Sequence, residues 1–168
     1  MRSATTFIWH APAHAPCSRR FFLAKRSFAM PHEPSTIARL HNPPDLAPPT
    51  GYSHVAEVRS DAKLIFIAGQ VPLDTSGALV GAGDDAAQAE QVFRNLSAAL
   101  AAAGAGFSDV VKFNVYLRDV KSAPAYRAAR DRHLPADAPR PTSTLVEVSR
   151  LFRDEFLIEV EAVAAIGS

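Results

Sequence analysis

Five consecutive apolar residues, Leu64-Ile65-Phe66-Ile67-Ala68, constrain this chain more than any other feature. Side chains alternate between the two faces of a strand, so a strand apolar at every position is covered on both faces. The flanks support a strand here. Ser60-Asp61-Ala62-Lys63 reads as a turn, Gly69-Gln70-Val71-Pro72 breaks the run, and Asp74-Thr75-Ser76-Gly77 supplies a second turn. Val55 to Arg59 reads as a preceding strand, and the proline-rich stretch His41 to Gly51 as an extended lead-in without the donors a central strand needs.

The covering elements can be read downstream. Ala89, Val92, Phe93, Leu96, Ala99, Leu100 and Ala103 recur at helical spacing, with Asp84 and Asp85 at the favourable N-terminal end and Gly104 as the C-terminal cap. Val111, Phe113, Val115 and Leu117 alternate with Lys112, Asn114, Tyr116 and Arg118, the pattern of a half-buried strand. A second helix is expected from Ser122, its N-cap, to about Leu134, where Pro135 stops it. Residues 144–149 and 156–165 are read as two more strands. The order β-β-α-β-α-β-β is that of an α+β domain with two helices against one mixed sheet. Those helices cover one sheet face, so the apolar residues of the other predict burial against further subunits.

The 168 residues are one domain's worth of chain, and no stretch approaches the roughly 20 apolar residues that span a bilayer. Charge is unevenly placed. Residues 1–32 hold Arg2, Arg19, Arg20, Lys25 and Arg26 and no acid, so the remainder carries 13 basic against 17 acidic residues, a net charge of −4. Such a body is a poor polyanion binder, which argues against a nucleic-acid partner. Residues 1–40 are read as a basic leader or disordered tail, and residues 41–168 as the domain. An organelle transit peptide and a start codon misplaced ahead of Met30 both fit the leader; its Pro- and Ala-rich composition suits a GC-rich gene and favours the misplaced start. The expected location is cytoplasmic, or an organelle matrix if the leader is a transit peptide. Cys17 is the only cysteine, and His41, His54 and His133 are isolated, so neither a disulfide nor a metal site is expected.

Four segments, in order, resemble the Rid (YjgF-like) family: Pro49-Thr50-Gly51-Tyr52-Ser53; Ala68-Gly69-Gln70-Val71-Pro72-Leu73; Val110-Val111-Lys112 with Val115-Tyr116-Leu117-Arg118-Asp119; and Val146-Glu147-Val148-Ser149-Arg150-Leu151, followed by Ile158 to Ala164. The likeness spans about residues 41–166. It implies a chorismate-mutase-like fold and a homotrimer whose sheets form an inner barrel, with three clefts between subunits. It also implies hydrolysis of reactive enamines and imines, such as 2-aminoacrylate, to a keto acid and ammonia without cofactor. In such members an arginine grips the substrate carboxylate and a glutamate positions the attacking water.

By this resemblance Tyr52 is the site tyrosine and Glu159 the water-positioning glutamate, with Gly69, Ser143 and Thr144 lining the substrate pocket. A carboxylate such as Glu159 accepts a water proton near neutrality if burial raises its pKa. The pattern departs from the family at the arginine. Where deaminating members begin the fourth strand Pro-Ala-Arg-Ser, this chain has Pro141-Thr142-Ser143-Thr144, and Ser143 falls on the arginine. The usual serine after the second strand is Ala68, the asparagine of the second helix is Arg127, and the cysteine of the fourth strand is Leu145. A serine offers no charged planar fork to a carboxylate. Arg127 and Arg140 are the candidates to restore the grip, against the plainer expectation that Arg127, Arg130 and Arg132 form a solvated basic helix face. Ser53 and His54, adjacent in an extended segment, point apart and make no dyad.

The functional expectation is a hydrolase or deaminase acting on a C–N bond of a small, anionic metabolite. The alternatives are a trimeric carboxylate-binding protein without chemistry and a ribonuclease, the last disfavoured by the acidic domain.

Overall fold

The computed structural model describes residues 37–168, so the expected leader lies largely outside the described residues. The elements are β1 (Ala38–His41), β2 (Val55–Val58), β3 (Ala62–Gln70), α1 (Asp85–Ala102), β4 (Val110–Leu117), α2 (Ala123–His133), β5 (Thr142–Glu147) and β6 (Ile158–Gly167). The four longer strands form one mixed sheet of order β3-β6-β4-β5, in which only β4 and β5 run parallel. Two helices and a mixed sheet give the α+β class expected from the pattern.

One strand was not expected. Ala38–His41 lies mostly inside the segment assigned to the leader, yet it pairs antiparallel with β2, and His41 Nε2 meets Glu57 Oε1 at 3.0 Å. Four residues give too little alternation to reveal a strand. This one is defined by its partner.

Helix α1 forms where its sequence asks for it. The Asp84 carboxylate accepts hydrogen bonds from the backbone N–H groups of Ala86 and Ala87, satisfying donors that the first turn leaves open. At the other end Gly104 adopts φ +76°, the left-handed conformation that ends a helix. The second helix begins differently from the expectation. Ser122 occupies the N-cap position but its side chain makes no capping bond; instead, Asp119 caps a single 3-10 turn over Val120–Ser122 that leads into α2.

The apolar stripe of α1, Ala89, Val92, Phe93, Leu96 and Leu100, is no more than 1% exposed. It packs on Ile65 of β3, Phe113, Val115 and Leu117 of β4, and Ile158, Val160, Ala162 and Ala164 of β6. Phe93 is the hub, with ring centroids 5.5–6.0 Å from Phe107, Phe113, Tyr126 and His133. The opposite sheet face has no covering element among the described residues. There Leu64 and Phe66 of β3 are 48% and 74% exposed, beside Glu159, Glu161 and Val163 of β6 and Asn114 and Tyr116 of β4.

A fully buried Gln88 ties α1 to the start of β6. Its amide nitrogen donates to the carbonyls of Gly81 (3.0 Å) and Glu155 (2.9 Å), and its amide oxygen accepts from Leu157 N–H (2.8 Å). Removing all three contacts leaves buried backbone groups without partners, each costing about 1–3 kcal/mol. Gln88→Leu is therefore expected to destabilise the fold by about 3 kcal/mol, read as a lowered denaturation midpoint.

Candidate functional site

The expected site residues fall into two groups. The first surrounds a cleft of about 360 Å³ lined by Thr50, Gly51, Tyr52, Tyr126, Arg127, Arg130, Ser143, Thr144 and Leu145. Strand β5 is the edge of the sheet, and the cleft wraps that edge. Register explains the lining: Ser143 lies opposite core-facing Phe113, on the helix side, whereas Thr144 lies opposite Asn114 on the open face. A neighbouring cleft shares Tyr52, Ser143 and Thr144 and adds Ser53, His54, Lys112 and Thr142.

The segment carrying Tyr52 is held from three sides. Ser53 N–H donates to the Pro141 carbonyl at 3.2 Å, Arg130 Nη1 donates to the Gly51 carbonyl at 2.7 Å, and the Tyr52 ring meets His54 edge to face at 5.2 Å. Gly51 has φ +85°, and a side chain there would press on the Arg130 guanidinium, so only glycine fits without strain. His54 Nε2 pairs with the Ala47 carbonyl at 2.8 Å and is engaged apart from Ser53.

Two of the arginines, Arg130 and Arg140, do not stand where they were expected. Arg130, assigned to a solvated face, is only 6% exposed and borders the cleft. Its Nε and Nη2 lie 3.0 and 2.9 Å from Asp131 Oδ1, and its guanidinium sits 5.7 Å from the Tyr126 ring centroid. Arg127 lines the cleft but is exposed. Arg140 lines neither cleft: Nη1 donates to the Pro135 carbonyl at 3.0 Å and Nη2 lies 3.7 Å from Asp131, which holds the side chain against the loop after α2. Arg132 is drawn to Glu90 at 2.7 Å. Tyr126 and Arg130 were overlooked as site residues, though a signal existed. Ala123, Tyr126 and Arg130 are spaced along one helix face, and all three are buried.

The second group lies beyond β4. Glu159 of β6 stands opposite Tyr116, so two strand spacings, about 10 Å, separate its strand from β5. Its carboxylate lies against the backbone of Gly69, where a methyl group would overlap it. Glycine at 69 is thus what admits the glutamate. Beside it, Glu161 accepts hydrogen bonds from Asn114 Nδ2 (3.0 Å) and the Tyr116 hydroxyl (3.3 Å). Burial, and then the like charge of Glu161, push the Glu159 carboxyl above the usual range. Tyr116 is raised too, by burial and by the neighbouring carboxylates.

This sequence and fold match known proteins. The family described as endoribonuclease L-PSP covers residues 44–166. A protein of the conserved Rid family from Yersinia pestis, YyfB, superposes with a TM-score of 0.70 at 33% identity, covering 78% of this chain and 100% of its own. This chain belongs to the Rid family. Among curated relatives of this Rid protein, a RutC family protein of Pyrococcus abyssi is 37% identical over 113 residues, 67% of this chain and 84% of the relative. The 3-aminoacrylate deaminase RutC of Acinetobacter baylyi is 32% identical over 124 residues, 74% of this chain and 91% of the relative.

Removing the Glu161 charge relieves the like-charge repulsion that opposes ionisation of Glu159. In Glu161→Gln the Glu159 carboxyl is expected to titrate at lower pH than in the wild-type protein, while remaining above the ordinary glutamate range because burial persists. Carboxyl-carbon NMR titration checks both halves.

Proposed function

We propose that this Rid protein is a homotrimeric hydrolase that converts imines of small molecules, or the enamines that tautomerise to them, to the carbonyl compound and ammonia. The observation that carries the reading is the Glu159 carboxylate, half-buried against Gly69 and held above its ordinary pKa. Such a group can accept a proton from water in the pH range where imines exist. Water adds to the imine carbon as Glu159 takes one of its protons. Glu159 passes that proton to the nitrogen of the tetrahedral adduct and then relays the adduct's hydroxyl proton to the same nitrogen, so that the C–N bond breaks, ammonia leaves and a C=O group remains. A relative named for 3-aminoacrylate deaminase activity supports the reaction class.

In one protomer Glu159 and Tyr52 lie on opposite sides of β4, so a site using both is assembled from two copies. The exposed Leu64 and Phe66 on the uncovered sheet face favour such assembly, because large apolar side chains side by side gain from burial. The homotrimer brings Gly69 and Glu159 of one subunit to the Tyr52 cleft of the next.

Ammonia release from freshly generated imines of small amino acids tests the reaction. Glu159→Gln is expected to lower kcat at least about a hundredfold, the usual worth of a general base, with an unchanged trimer by light scattering. Turnover undiminished in this variant would remove Glu159 from the mechanism, and no turnover in the wild-type protein would leave only a binding role.

Mixing variants tests the shared site. Glu159→Gln and Tyr52→Phe subunits, each impaired alone, are expected after co-refolding to regain about a quarter of wild-type turnover, because every mixed trimer contains one cleft with both native residues. Activity that stays at the level of the separate variants would place the whole site within one subunit.

A further inference from the structure

The cleft at the edge of β5 contains two polar groups whose partners are incomplete. The Tyr126 hydroxyl is buried, with the residue 2% exposed, and lies near Ser143 and Arg130 without meeting hydrogen-bond geometry with either. Native proteins seldom leave a buried hydroxyl unpaired, and one that borders a cleft points to a guest group that supplies the partner. Beside it stands the guanidinium of Arg130. A guanidinium carries five N–H donors; the contacts to the Gly51 carbonyl and Asp131 engage its three nitrogens once each and leave the remaining donors unused.

Within one protomer the charge around this space has one sign: among the described residues, Arg127 and Arg130 are its only ionisable lining residues apart from the tyrosines. Asp131 touches the guanidinium but is not part of the lining, and it is itself largely exposed. Ser143 supplies the room: it sits on the helix-facing side of β5, where a longer side chain would occupy the volume in front of Tyr126. A fixed guanidinium next to a hydroxyl donor, with space in front of both, is a seat for a planar anion that accepts from two directions.

We infer that Arg130 and Tyr126, with Ser143 making the space, form a carboxylate subsite, and that the anionic end of the ligand is held from helix α2 rather than from strand β5. The inference rests on the proposed hydrolase insofar as that carboxylate belongs to its substrate; binding itself requires no turnover. Arg127, exposed at the cleft, adds long-range attraction. Arg130 also braces Gly51, so ligand recognition and the placing of Tyr52 share one side chain.

Pyruvate, with pyruvamide as its uncharged counterpart, serves as the probe in calorimetric titrations of the full chain. The wild-type protein is expected to prefer pyruvate by tenfold or more, about the worth of a charged hydrogen bond. Tyr126→Phe removes a hydroxyl that has no partner in the free protein. Its melting temperature should equal or exceed that of the wild type, while pyruvate affinity falls about tenfold and pyruvamide affinity stays constant. Arg130→Lys is expected to weaken pyruvate selectively; if Arg130 only braced the loop, both probes would weaken alike. Equal affinity for the two probes, no pyruvate binding at millimolar concentration, or an unaltered pyruvate affinity in Tyr126→Phe would each overturn the subsite. The two readings fail separately. Imine turnover with an unchanged KM in Tyr126→Phe sinks the subsite alone, whereas selective loss of pyruvate binding without any turnover in the wild-type protein sinks the hydrolase alone.

Discussion

The burial of the α1 stripe on one face of the four-stranded sheet is the interaction on which the rest depends. Val92, Phe93, Leu96 and Leu100 share one core with the inward residues of β4 and β6, and the Phe93 ring touches β4, α2 and the turn before β4. Once both helices are committed to that side, the other side has no covering element among the described residues, and its side chains stay partly exposed. The positions that alternate outward from the core are therefore the ones left for chemistry: Glu159 and Glu161 on β6, and Asn114 and Tyr116 on β4. Core and site are two faces of the same alternation.

Position within the sheet then divides the labour. Central β6 offers a glutamate flanked by backbone on both sides, where desolvation is available and Gly69 can make room for it. Edge strand β5 has one free side, and the Gly51–Tyr52 turn and α2 build a cleft around it. One location is suited to altering the acidity of a carboxyl group. The other is suited to enclosing a guest. Neither does both within a single chain.

Much of this was legible in the sequence. The period of α1, the alternation of β4 and the unbroken apolar run of β3 each reflect a burial requirement that one chain can express, and the element order follows from them. The candidacy of Tyr52, Gly69 and Glu159 came from ordered motifs, and the structure places Gly69 directly against Glu159. The remainder depended on partners distant in sequence. β1 exists through its pairing with β2. Arg140 is drawn to Pro135 and Asp131, and Arg130 is buried by a glycine carbonyl 79 residues away. The helix spacing that groups Arg130 with Ala123 and Tyr126 contained the clue. Residue type worked against it, because arginine is expected outside.

The bond from Arg130 to the Gly51 carbonyl has a bearing on how such a cleft can diverge. One guanidinium fixes the turn that presents an aromatic wall and also sets the charge of the chamber behind it. A lineage that exchanged this arginine to accept a neutral guest would loosen the wall in the same step. New selectivity at this edge therefore arises more readily through neighbours such as Ser143, whose size can change without disturbing the brace.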